Sequence, residues 1–270
     1  MTRVALIGAG GFVGSSIVKA LAAKADIDLA PVTRTNYNAA REDGPYDILI
    51  NTAMPSKRFW ARQNPKLDFI ETVEKTSRLT NDWAAAKIIQ ISSISARSQL
   101  DTVYGRHKAA AEKLVKHSDN LILRLGPMYG EELDKGVLID ILNDNPVFVA
   151  RNSHYCFAPI DWIASWIADN LDRSGVMDLG GNDAIMVGDV ADAVEHQHAG
   201  QGQASVAGAE QLTAGTGQQV VVGIGGFLIR IRGVHVICAQ TGYSTQAGLV
   251  PNIHCFHSVW NGSSPIRSNP

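Results

Sequence analysis

Val4-Ala5-Leu6-Ile7-Gly8-Ala9-Gly10-Gly11-Phe12-Val13-Gly14 is an apolar run that turns at once into glycines. Four consecutive apolar residues suit a strand buried on both faces, as in a parallel sheet. The residues that follow, SSIVKALAAK at 15–24, have helical spacing, so the glycines occupy a strand-to-helix turn. Glycine in such a turn lets the backbone approach a diphosphate, and the open amides of the next helix attract its negative charge. Strand, glycine loop and helix stand in the order that dinucleotide binding requires. Gly8, Gly10, Gly11, Phe12, Val13 and Gly14 are therefore candidate cofactor-binding residues.

Outward from this turn, short apolar runs alternate with helical segments. Strands are expected near 3–8, 27–33, 47–52, 87–92 and 120–124, and helices near 12–24, 64–85, 104–117, 136–143 and 161–172. Asn64-Pro65 would start the long helix, with asparagine as cap and proline in the first turn. The spacing of Trp162 and Trp166 favours packing against the sheet over stacking on a base, and Asp161 is expected to cap its helix. The pattern predicts an α/β fold: a Rossmann-type doubly wound parallel sheet with helices on both faces and a small, incomplete C-terminal substrate lobe.

A second informative stretch is SSISARSQLDTVYGRHK at 92–108. Tyr104 and Lys108 are four apart, which puts both side chains on one helix face. A phenol is a poor acid or base at neutral pH, and a nearby lysine would favour its ionised form. A serine hydroxyl at the end of the preceding strand could hold a substrate oxygen against the tyrosine. Strand residues alternate in direction, so only one of Ser92 and Ser93 should face Tyr104, the other being tied to local backbone.

The glycine spacing of Gly8, Gly11 and Gly14, together with Tyr104 and Lys108, resembles the short-chain dehydrogenase/reductase superfamily. Tyr46–Ala53, Lys87–Ser93, Arg124–Gly130 and Phe157–Asp161 are similar to segments of its extended or atypical, NAD-dependent epimerase/dehydratase branch. The resemblance runs from residue 1 to about 195. It implies Ser93, Tyr104 and Lys108 as the catalytic residues, with Ser92 and Ser95 as runners-up, and it implies that Asn51, Thr52 and Ala53 lie beside the cofactor. Lys108 would also hold the nicotinamide ribose. Ser93 and Tyr104 are closer together than in most extended members, so the substrate-covering loop is expected to be short. His107 stands where that family often has serine or alanine, and a solvated helix histidine is the favoured reading over proton transfer.

At the end of the second strand, Thr33-Arg34-Thr35-Asn36 has no acidic residue to bind a ribose 2′-hydroxyl. A guanidinium at Arg34 suits a 2′-phosphate, so NADP is favoured over NAD. Net charge −2 and a pI near 6.4 give no electrostatic case for nucleic acid or an anionic membrane. No signal-like segment precedes the first strand, so a cytoplasmic enzyme is expected. Cys156, Cys238 and Cys255 lack metal-type spacing and read as reduced thiols, with no metal site. The family often pairs its helices into a dimer, which makes a homodimer the expected assembly.

Beyond about residue 195 the composition changes. Of the 50 charged residues only Glu210, Arg230, Arg232 and Arg267 lie in 196–270, and lysine and aspartate are absent there. VVVGIGGFLI at 220–229 is too short to span a bilayer. The division is thus a dinucleotide-binding domain with part of a substrate lobe at 1–195, and an atypical charge-poor tail at 196–270. For the tail, a sequence that has lost its native reading is favoured over a β-rich or disordered extension. The leading function is an NAD(P)-dependent oxidoreductase or epimerase/dehydratase-like enzyme acting on a hydroxyl or keto group of a small molecule, a sugar or nucleotide sugar. The alternative is a catalytically idle dinucleotide-binding regulator or redox sensor on the same fold.

Overall fold

The structure, a computed structural model, describes residues 1–203 and the strand residues 226–231 and 234–239. Two compact units divide the chain, one formed by Met1–Met128 and Cys156–Asn182, the other by Tyr129–Tyr155 and Asp183–Pro270.

In the first unit the chain runs β1 Thr2–Ile7, α1 Phe12–Ala22, β2 Ile27–Val32, α2 Tyr37–Glu42, β3 Tyr46–Asn51, α3 Arg58–Gln63 and α4 Pro65–Phe69. A π-helical turn at Ile70–Glu74 leads into α5 Lys75–Asp82, followed by β4 Ala85–Ser93, α6 Ser95–Ser98, α7 Val103–Val115 and β5 Leu121–Leu125. The two-residue β6 Met128–Tyr129 ends this part. After the second unit's first segment, α8 Val137–Leu142 and β7 His154–Tyr155, the first unit resumes with β8 Ala158–Pro159, α9 Ile160–Asp169 and β9 Gly175–Leu179.

Six strands form one parallel sheet in the order β2-β1-β3-β4-β5-β9. Its direction of growth reverses between β2 and β3, both of which pair with β1. A crevice at the C-terminal ends of β1 and β3 is where such sheets take ligands. The Rossmann-type doubly wound sheet expected from the sequence is therefore present.

Alternation within each strand divides the core between the two faces. Val4, Leu6, Ile48 and Ile50 belong to a cluster that includes Ile17 and Leu21 of α1 and Ile163 and Ile167 of α9. Ala5, Ile7 and Leu49 point the other way, into a cluster with Val32, Tyr46, Leu79 and Trp83. Burying a large aliphatic side chain contributes roughly 1.5–3 kcal/mol each, so these two layers fix which face each strand residue takes.

Several expectations are corrected in detail. The sixth strand, β9, was not read from the sequence, because GVMDL is short and Asp178 interrupts its apolar pattern. The long helix expected at 64–85 is broken by the π turn and ends at Asp82. Asn64 holds the cap position without a side-chain cap bond, since its amide donates to the Trp60 carbonyl at 3.1 Å. Pro159, not Asp161, caps α9, and Asp161 lies in its first turn. Trp166 packs partly buried against the core as expected, whereas Trp162 is exposed.

In the second unit β7 pairs antiparallel with β10 Ile185–Met186, which leads into α10 Val187–Gln203. Arg151 bridges to Asp192 of α10 at 2.5 Å. β11 Gly226–Ile231 and β12 Val234–Ala239 form an antiparallel pair. The expectation of a non-native tail at 196–270 falls mostly outside the described residues. No helix among the described residues is long and apolar enough to cross a membrane.

Candidate functional site

The glycine turn is built by two glycines and opened by two others. Gly8 has φ +88°, a region that disfavours any side chain, and a Cβ there would meet Thr52 Oγ1 at 2.6 Å. A Cβ on Gly14 would lie 2.1 Å from the Gly8 carbonyl oxygen. Thr52 ties the two segments together, its hydroxyl lying 2.8 Å from the Ile7 carbonyl oxygen and 3.2 Å from that of Gly8. At Gly10 a Cβ would meet nothing within 4 Å. Gly11 caps α1 without a side-chain bond, and no acidic residue sits in the first turn. The amides of Gly8, Ala9 and Gly11 are bonded within the fold, so the open backbone at Gly10 and the first turn of α1 are what fit a diphosphate. Phe12 and Val13 contribute through that backbone, since their side chains pack against the core.

The Asn51 side chain is engaged within the protein. It is buried, donates to Gln90 Oε1 at 3.0 Å and accepts from the Ala53 amide at 3.1 Å, so it shapes the loop after β3. Ala53 in turn accepts from Lys75 Nζ at 3.4 Å.

At the end of β4 the two serines diverge as strand geometry requires. Ser92 donates to Glu112 Oε1 at 2.6 Å, a side-chain partner where a local backbone bond was expected. Ser93 Oγ accepts from the Ser95 amide at 3.3 Å and lies near enough to the Tyr104 phenol to favour its ionised form. Ser95 Oγ is buried with no partner among the described residues, and of the three serines Ser93 is the one that acts on the tyrosine.

Helix α7 places Tyr104 and Lys108. Thr102 caps it, accepting from the Gly105 amide at 3.0 Å, and a Cβ at Gly105 would lie 2.0 Å from the Gln99 carbonyl oxygen. Glycine thus lets the 95–102 loop lie flat on the first turn. Tyr104 and Lys108 are both buried, and Lys108 Nζ stands 5.2 Å from the Tyr104 ring centroid.

Burial pushes the two groups in opposite directions. It raises the Tyr104 phenol above its ordinary range, while the Ser93 bond and the Arg58 charge act to lower it. It brings Lys108 down to about 7, against the charge of Asp68, with Lys75 adding to the lowering and Glu112 opposing it. The expectation that Lys108 favours an ionised tyrosine is thus not met in the chain by itself. By the pH at which the phenol titrates, this lysine has lost its charge.

Three residues around the pair were missed or misread. Glu112, one further turn along α7, is buried and clamped by Arg124, whose Nε lies 2.9 Å from Oε1 and whose Nη2 lies 2.6 Å from Oε2. The i, i+4 spacing from Lys108 could have found it. Asp68 of α4 is fully buried and bonds His107 Nδ1 at 2.7 Å. His107 is consequently a partly buried partner of a carboxylate, with the Phe69 ring edge-on at 5.5 Å, not a solvated helix histidine. Nothing in the local sequence pairs residues 68 and 107.

After β2, Asn36 Oδ1 accepts from the Thr33 amide at 2.7 Å and its amide donates to the Pro31 carbonyl at 3.0 Å. Arg34 is exposed in this turn.

No protein-family model matches the chain, and no curated protein matches its sequence. Solved structures do match its fold. A dTDP-4-dehydrorhamnose reductase of Clostridium acetobutylicum is 17% identical with a TM-score of 0.62, covering 73% of this chain and 80% of that one. A mutant UDP-glucuronic acid 4-epimerase of Bacillus cereus, bound to a fluorinated UDP-sugar and NAD, is 17% identical with a TM-score of 0.61, covering 73% and 83%. The UDP-glucose 4-epimerase of Thermus thermophilus, complexed with NAD, is 19% identical with a TM-score of 0.58, covering 72% and 82%.

The expectation of NADP is overturned, because the two epimerases just described hold NAD. An exposed arginine in a turn is compatible with solvent as its only partner and does not by itself specify a 2′-phosphate. At the level of fold the superfamily resemblance read from the sequence is met: the chain has the architecture shared by NAD-dependent epimerase/dehydratase-type enzymes of the short-chain dehydrogenase/reductase superfamily.

Proposed function

We propose that the protein is an NAD-dependent enzyme that acts on a hydroxyl or keto group of a nucleotide sugar, with Tyr104 exchanging the proton. The observation that carries this reading is the buried Tyr104 phenol, acted on by Ser93 at the end of β4, with buried Lys108 one turn further along the same helix.

The glycine turn would hold the diphosphate on open backbone at Gly10 and the first-turn amides of α1, while Gly8, Gly14 and Thr52 fix the shape of that turn. Beyond β2, Thr33 and Asn36 hydrogen-bond each other and the Pro31 carbonyl, which shapes an uncharged turn where the ribose would lie. Bound NAD would supply hydride exchange at the substrate carbon. Tyr104, held neutral by burial, donates its proton to the substrate oxygen when a carbonyl is reduced and takes one back in the reverse direction. Ser93, which acts on the phenol, would orient the same oxygen. Lys108, near 7, exchanges protons readily at neutral pH. Exposed Phe59, Leu67, Phe69 and Leu114 on α3, α4 and α7 support association of two copies through these helices.

Calorimetric titration with NAD and a turnover screen over UDP- and dTDP-sugars test the reading. Tyr104→Phe should lose turnover and keep NAD affinity. Turnover retained by that variant would overturn the role of Tyr104, and absence of NAD binding by the wild type would overturn the whole reading. Binding of NAD without turnover of any sugar would favour the regulator instead.

A further inference from the structure

Three neighbouring strands present a polar row on the sheet face that α7 covers. Ser92 of β4 stands in register with Arg124 of β5, and Arg124 with Asp178 of β9. Ile91, Leu123 and Leu179 belong to the apolar cluster on the opposite face, so strand alternation turns the three polar residues toward α7. Glu112, about two turns along α7 from Tyr104, closes on this row. Its Oε1 accepts from Ser92 Oγ at 2.6 Å and from Arg124 Nε at 2.9 Å, and its Oε2 accepts from Arg124 Nη2 at 2.6 Å. At the far end Asp178 pairs with Arg97 of α6 at 2.9 Å and lies 3.9 Å from Arg124 Nη1.

Each member of this network holds a segment that borders the candidate site. Ser92 precedes Ser93 at the end of β4, Glu112 shares its helix with Tyr104 and Lys108, and Arg97 lies in the loop that joins Ser93 to Tyr104. Two guanidinium groups face two carboxylates, so the network adds no net charge to the interior. A buried ion pair contributes little net stability once desolvation is counted, whereas a bidentate fork admits essentially one geometry. Apolar contacts have no such direction and would let α7 shift along the sheet. The network is therefore better suited to fixing a register than to adding stability.

We propose that Glu112 is the positioning residue of the site: held by Ser92 and Arg124, it fixes α7, and with it Tyr104 and Lys108, against the strand end that carries Ser93. Asp178 anchors the intervening loop through Arg97. Glu112 does not touch the reacting atoms and acts through the placement of its helix. The consequence for turnover rests on the reading of Tyr104 as the proton-transfer residue, but the placement does not.

Tyrosine labelled with 13C at Cζ reports the surroundings of each phenol by NMR in the absence of cofactor and substrate, and Tyr104→Phe assigns the resonance of Tyr104. Ser92→Ala cuts the tether to β4 and leaves the Glu112–Arg124 pair to hold the fold. It should shift the Tyr104 resonance and leave in place that of Tyr46, which packs on Trp83 at the start of β3. Arg124→Lys, which keeps the charge and loses the fork, should shift Tyr104 as well. In the turnover assay Ser92→Ala should lower kcat roughly ten- to hundredfold with NAD affinity unchanged. An unmoved Tyr104 resonance in folded Ser92→Ala or Arg124→Lys would overturn the proposal, as would an unchanged kcat or an equal shift of Tyr46, the mark of general loosening. A structural role alone would lower stability without this selectivity for Tyr104. A wild type without turnover would remove the proton-transfer reading and leave the resonances to decide this one. Failure here would leave NAD binding and the Tyr104→Phe result intact, so the two readings fall separately.

Discussion

Replacing Lys108 by Met keeps the apolar stem and removes the ionisable group, which turns a buried charge into a measurable slope. The lysine titrates near 10.5 in an unfolded chain and at about 7 in the folded one. Between those values the unfolded chain binds a proton at this position and the folded chain does not. Stability therefore rises with pH through the window, and it is lost as pH falls from 10.5 toward 7. Each unit of pKa difference corresponds to about 1.4 kcal/mol, so the whole window represents on the order of 5 kcal/mol. From pH 7 to pH 9 the wild type should gain roughly 2 kcal/mol relative to Lys108→Met. Urea unfolding at pH 7, 8 and 9, followed by circular dichroism, reads this difference, and every other titrating group is common to both proteins. A stability difference that stays constant with pH would refute the assignment of a depressed lysine at this site.

The glycines of the first turn should separate into two kinds. Gly14→Ala forces a Cβ against the Gly8 carbonyl at 2.1 Å and should destabilise the chain by about 2–4 kcal/mol in the same unfolding assay. Gly10→Ala meets no protein atom within 4 Å, so stability should hold while NAD affinity falls about tenfold, equivalent to ~1.4 kcal/mol by calorimetry; the reverse pattern would remove Gly10 from the binding surface. Association can be tested by light scattering. A wild-type dimer should become a monomer when Leu67→Glu and Leu114→Glu put charges on the exposed apolar face of α4 and α7, and a monomeric wild type would dismiss the dimer.

Local sequence made legible what depends on contacts near in the chain. Val4 to Gly14 announced the first strand, turn and helix because burial on both sheet faces demands a continuous apolar run and φ +88° at Gly8 demands glycine. Tyr104 and Lys108 were legible because four residues make one helical turn. Legibility ended where function depends on distant pairing. His107 looked solvated because its partner lies 39 residues earlier, across a helix interface. The bond of Asn51 to Gln90 was not legible because it joins two neighbouring strands that only the folded sheet aligns. Arg34 suggested NADP because charge can be read from sequence, whereas what a side chain meets in the fold cannot.

The opposite shifts of Tyr104 and Lys108 follow from a single cause. Burial disfavours whichever form of a group carries charge, so it holds the phenol protonated and strips the amine of its proton. A neutral phenol is a proton donor, which suits delivery of a proton to a substrate carbonyl oxygen. The same environment leaves the phenolate that remains after donation poorly stabilised unless Lys108 is charged at that moment. The site therefore needs a counter-charge that burial itself does not provide. Glu112 is committed to Arg124 and Lys75 opposes the need, while Asp68 favours a charged Lys108 but also raises the Tyr104 phenol.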